Sequence, residues 1–129
     1  MRSTYSLECK VLKESTKMLL HYVTGLGIVI AGGVHLFTVF LTGPYLQNLA
    51  FSGGAYSVIS VYRNIFLAAT LEVLLLFVDY HALNGIRVIL IEFHQGEAWE
   101  RGVSWILIVA GILLLIYGTR TILIANALA

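Results

Sequence analysis

The sequence predicts an all-α integral membrane protein, three transmembrane helices in one antiparallel bundle that a partner subunit completes. Two bulk observations and one pattern carry this. Apolar residues make up 59% of the 129 residues and charged residues only 12%, about half the share usual in soluble domains. Three apolar runs each reach the roughly 20 residues needed to cross about 30 Å of hydrocarbon. A net charge of +1 gives no electrostatic argument for nucleic acid. The length suits one domain, residues 1–129. Cys9 is the only cysteine, so the chain cannot form an internal disulfide or a Cys-ligated metal site.

The first predicted helix covers about residues 18–42, "MLLHYVTGLGIVIAGGVHLFTVFLT", and stops at Gly43-Pro44. A polar leader with Glu8 and Glu14 precedes it. That leader and the length of the run argue against a cleaved signal peptide. The second helix covers about residues 64–91 and the third about 103–125. "EFHQGEAWERG" reads as a solvated loop between them, and Trp99 and Trp105 read as interfacial anchors. Arg2, Lys10, Lys13 and Lys17 crowd the leader, whereas the first loop has only Arg63. This bias predicts a cytoplasmic N-terminus.

The histidines carry the functional reading. His21 and His35 lie fourteen residues apart on the first helix, within about 40° of one face and about 21 Å apart along the axis. Gly25 and Gly32 share that stripe, and His81 shares a face with Gly85 on the second helix. A histidine beside a glycine offers a nitrogen ligand and a flat backbone against which a wide planar group can lie. Haem ligation from a membrane helix needs both. Small residues also serve helix packing; two such pairs on two helices favour the cofactor. On these helix ends, His35 and His81 stand at different depths, and His21 and His94 lie at the inner interface. Two stacked irons follow, each lacking a second axial ligand that another chain must supply.

The motifs point to a family. "HALNGIR", His81 to Arg87, resembles the His-x-x-x-Gly-Ile-Arg motif of the cytochrome b membrane-anchor subunit of succinate dehydrogenase (succinate:quinone oxidoreductase). "LLHYVTG" resembles that family's first-helix Ser-x-x-His-Arg-x-(Thr/Ser)-Gly motif, and "GGVHLF" places His35 as in two-haem members. The resemblance implies that His81 and His35 are axial ligands of two b haems shared with a second anchor subunit. It places His21, Arg87, Gly85, Gly32 and Gly25 around the haem and its propionates. It also implies partners, an iron–sulfur subunit and a flavoprotein subunit, in a prokaryotic cell membrane with lipids and quinone around the chain. The chain would then help pass electrons from succinate oxidation to quinone. The family's Arg and Ser, which help bind quinone in one-haem members, are Tyr22 and Met18 here; the departure either moves the quinone's polar contacts to a partner subunit or leaves Tyr22, with His21, to offer a hydrogen bond on this helix.

Other classes remain: a haem-free anchor, or a small transporter or proton-channel subunit, against which stand unbroken helices and no internal repeat. Structural pairing is the expectation for the intramembrane acids Glu72 and Asp79. Counting from the cytoplasmic ends puts Glu72 and Arg120 at matching heights, so an ion pair between the second and third helices is expected.

Overall fold

The computed structural model describes residues 4–38 and 62–128. Three helices follow one another: α1 (Thr4–Leu36), α2 (Ile65–Phe93) and α3 (Glu97–Leu128). Each contains a segment long and apolar enough to cross a membrane. The expected helix end at Gly43-Pro44 lies outside the described residues, as does most of the loop after it. α2 is central and antiparallel to both neighbours; α1 and α3 scarcely touch each other.

Both ends of α2 are chemically marked. The Asn64 side chain accepts from the backbone N–H groups of Phe66 at 3.0 Å and Leu67 at 3.3 Å, capping two otherwise unbonded donors. At the other end the helix stops at Phe93, and Gly96 takes φ 147°, a backbone conformation open to glycine and costly for other residues. The sequence suggested a longer loop here. Instead α3 begins at Glu97, with Glu97 and Glu100 in its first turn, where acidic charge complements the helix dipole. The Trp99 indole N–H donates to the Leu90 carbonyl at 2.9 Å, closing the turn.

The leader is helical too. α1 begins fourteen residues before the apolar run, and nothing in residues 4–17 is Gly or Pro. Lys17 donates to Glu14 at 2.7 Å, one turn back along the helix.

The packing uses small residues at the seams and leaves large ones outward. Among the described residues the buried apolar ones are Ala31, Ala68 and Val103, whereas Leu19, Val29, Ile106, Ile116 and Tyr117 are well exposed. Without a hydrophobic drive between helices in lipid, close approach and polar contacts hold them. A Cβ at Gly27 would overlap the Phe77 ring. One at Gly118 would stand 2.5 Å from a Leu75 methyl, and one at Gly111 would stand 2.7 Å from Leu83 and 3.1 Å from Asp79 Oδ2.

The intramembrane acids depart from expectation. Thr119 Oγ1 donates to Glu72 Oε1 at 2.6 Å. Arg120, one residue on, is exposed beside Leu123 and Ile124. The heights match, but one residue step turns the side chain by about 100°, so threonine faces α2 and arginine faces outward. Asp79 has no hydrogen-bond partner among the described residues, and its Oδ1 is buried.

Two outcomes test this packing. Gly27→Val should destabilise the folded chain by about 1–3 kcal/mol through overpacking, read as a lower thermal midpoint; adding Phe77→Ala should recover part of the loss. Thr119→Val should lower the midpoint by the equivalent of about 1 kcal/mol, whereas Arg120→Gln should leave it within error.

Candidate functional site

The site lies on the α1–α2 seam. Thr24 is buried, and its hydroxyl sits 2.8 Å from the Leu20 carbonyl and 3.0 Å from that of His21, a back-bond that hides a polar group inside a helix. His81 Nδ1 stands 3.0 Å from the His21 carbonyl and 3.5 Å from Thr24 Oγ1. A carbonyl oxygen only accepts, so this bond puts the hydrogen on Nδ1 and a lone pair on Nε2. Nε2 makes no hydrogen bond and is not among the buried unpartnered atoms of the described residues. Such a backbone-fixed tautomer is the usual state of a metal-ligating histidine. The donor chemistry of His81 therefore fits an axial ligand.

His21 is not at the end of the membrane segment, as its place near the start of the apolar run suggested. Its ring stacks on His81, with centroids 3.8 Å apart and planes at 14°. The reason is the length of α1: its polar first turns run alongside α2, so His21 reaches the level of His81. The glycines serve across the seam. A Cβ at Gly25 would stand 3.0 Å from His81 Cε1, and one at Gly85 would stand 3.8 Å from His21 Cε1. Each imidazole thus lies over the glycine of the opposite helix. His21 Nδ1 is buried without a partner.

Arg87 joins all three helices. Its Nε–H donates to Ser104 Oγ at 3.2 Å, and NH1 and NH2 donate to the two Glu14 oxygens at 3.3 and 3.2 Å. Ser104 in turn donates to the Glu100 carbonyl at 2.7 Å. Three of the five guanidinium N–H groups are used, which leaves two for a further anion. One turn deeper, the Tyr80 hydroxyl donates to the Lys17 carbonyl at 3.3 Å.

His35 stands apart from this group. It is half-buried toward the other end of α1, against Thr38, Leu67, Thr70 and Leu71, and has no hydrogen bond among the described residues. A Cβ at Gly32 would meet only Leu74, at an ordinary 3.7 Å. Tyr22 presents its ring edge-on to His21 at 6.4 Å but is 68% exposed, on the face away from α2. Among the described residues no three His, Cys, Asp or Glu side chains converge as a metal cluster. Sequence reasoning missed Glu14, Ser104 and Tyr80, which carry no motif. Thr24 had a signal, since it is the hydroxyl residue of the motif around His21.

No curated protein and no solved structure matches the chain. A family model described as the succinate dehydrogenase/fumarate reductase transmembrane subunit matches residues 4–124. That match spans all three histidine motifs, the Arg87 clamp and nearly all of the three helices. The chain belongs to the succinate dehydrogenase/fumarate reductase transmembrane subunit family, as a multi-pass membrane protein.

Proposed function

We propose that this subunit is a haem b-binding anchor that helps carry electrons from succinate oxidation to a membrane quinone. The observation that carries the reading is the tautomer of His81, whose Nδ1 is held on the His21 carbonyl while Nε2 stays unbonded. Bound there, haem iron would supply one-electron transfer between the soluble redox centres and quinone. His81 would be one axial ligand of the haem nearer the α2–α3 turn. The stacked His21 is not placed across a metal from it, so the opposite ligand would come from a second anchor subunit. His21 and the two spare N–H groups of Arg87 would hold propionates. His35 would ligate a second haem, about 21 Å further along α1.

The other partners in this reading are the flavoprotein and iron–sulfur subunits, seated on the turn end. The lysines of α1 and Arg101 support a cytoplasmic turn end, and the membrane in this reading would be that of a prokaryotic cell.

One observation favours a haem-free anchor instead. The two imidazoles already pack closely, ring on ring, over Gly25 and Gly85. Spectra of the purified complex separate the two readings. The haem reading expects b-type absorption with a haem-to-flavin ratio near two. His81→Ala should remove one bis-histidine signal and leave the other, and His35→Ala should do the reverse. Absence of b-type bands, or both signals surviving both substitutions, would leave the histidines as packing residues.

A further inference from the structure

A second feature lies on the other side of α2. A groove of about 520 Å³ runs between α2 and α3, with Lys17 of α1 at its mouth. Its walls are mostly Leu and Ile, and they extend over Leu76–Asn84 on α2 and Leu107–Leu115 on α3, about two helical turns or 12 Å on each.

Lys17, Asp79, Tyr80 and Asn84 are its polar side chains; Lys17 and the Tyr80 hydroxyl are hydrogen-bonded, whereas Asp79 and Asn84 are not satisfied. Asn84 is only 8% exposed, yet its amide makes no hydrogen bond with a described residue and is not among the fully buried unpartnered atoms. Its polar atoms therefore keep surface in the groove. Asp79 accepts no hydrogen bond at either oxygen from a described residue; Oδ1 is buried, so Oδ2 holds its open surface. Buried polar groups without partners are costly in an apolar medium, and an acyl chain would satisfy neither. Lys17, the nearest cation, is already committed to Glu14 at 2.7 Å. Asp79 and Asn84 stand five residues apart, about 7.5 Å along the helix. About 140° of helix rotation also separates them, so a ligand touching both must reach across the groove, as an apolar ring with a polar oxygen at each end can. One end must donate to a carboxylate, and the other can donate to or accept from an amide.

We infer that this groove binds a lipid-soluble ring of the quinol class, with one hydroxyl donating to Asp79 and the opposite oxygen bonded to Asn84. The inference rests on the reading that the complex serves a membrane quinone, and it moves this chain's quinone contacts from Tyr22 and His21 to α2 and α3. Tyr22 faces outward, whereas Asp79 and Asn84 share an open groove of ligand size.

Photolabelling of the intact complex in nanodiscs tests it. The probe is a benzohydroquinone carrying a short diazirine-ended alkyl tail, and the control is its bis-methyl ether, which cannot donate. The hydroquinone should label peptides spanning Leu76–Asn84 or Leu107–Leu115 at least tenfold more than the ether does. Asn84→Leu and Asp79→Leu should each cut that labelling at least fivefold. Equal labelling by probe and ether would make the groove a lipid-tail crevice and overturn the site, with no variant needed. Labelling confined to other segments would overturn it too. Haem spectra and quinone reductase activity of the same samples keep the readings apart. Active complex without groove labelling removes only the site, and groove labelling without b-type bands removes only the haems.

Discussion

The Arg87 guanidinium is the contact on which the arrangement of the three helices depends. A full charge near the edge of an apolar layer must find partners, and Arg87 finds them on both sides of α2. The Glu14 carboxylate on α1 takes two of its N–H groups, and the Ser104 hydroxyl on α3 takes a third. A planar fork satisfied in this way allows little sliding. The contact therefore sets the register of both outer helices against the central one. Given that register, Tyr80 meets the Lys17 carbonyl one turn deeper, and His81 meets the His21 carbonyl at the next level.

Above the clamp, glycine decides what can approach. Gly25 and Gly85 let two imidazoles lie flat between α1 and α2, and Gly27 admits the Phe77 ring. On the other side of α2, Gly111 and Gly118 admit Leu83, Asp79 and Leu75. A helix whose side chains enter notches on both neighbours can hold them closely without a large core. This explains how so many leucines and isoleucines remain on the outer surface while the chain keeps a definite packing. Those outer faces suit lipid and the further membrane subunit that the proposed haem ligation requires.

The polar groups divide by how they are satisfied. Thr24, Ser104 and Thr119 use hydroxyls that reach a helix carbonyl or a facing carboxylate. Glu72 is settled by Thr119 within the chain. His81 is settled at one nitrogen and open at the other, while Asp79 and Asn84 are open altogether among the described residues. Open polar groups at membrane depth are where a ligand or another subunit gains most by binding. They lie on both faces of α2, the histidine on the α1 side and the carboxyl–amide pair in the α2–α3 groove.

By itself the sequence determined the membrane class, the three helices and the family, because apolar length and the spacing His-x-x-x-Gly-Ile-Arg are local properties. It also singled out His81, Arg87, Gly25 and Gly85, since a titratable or bare position stands out in an apolar run. The tertiary structure decided what those residues meet. The cause is angular: matching heights brought Glu72 level with both Thr119 and Arg120, and only the rotation of α3 chose the threonine. It was also a matter of reach. The polar leader gave no sign of continuing as helix beside α2, so neither the Glu14 contact with Arg87 nor the stacking of His21 on His81 could be read before the two helices were brought together.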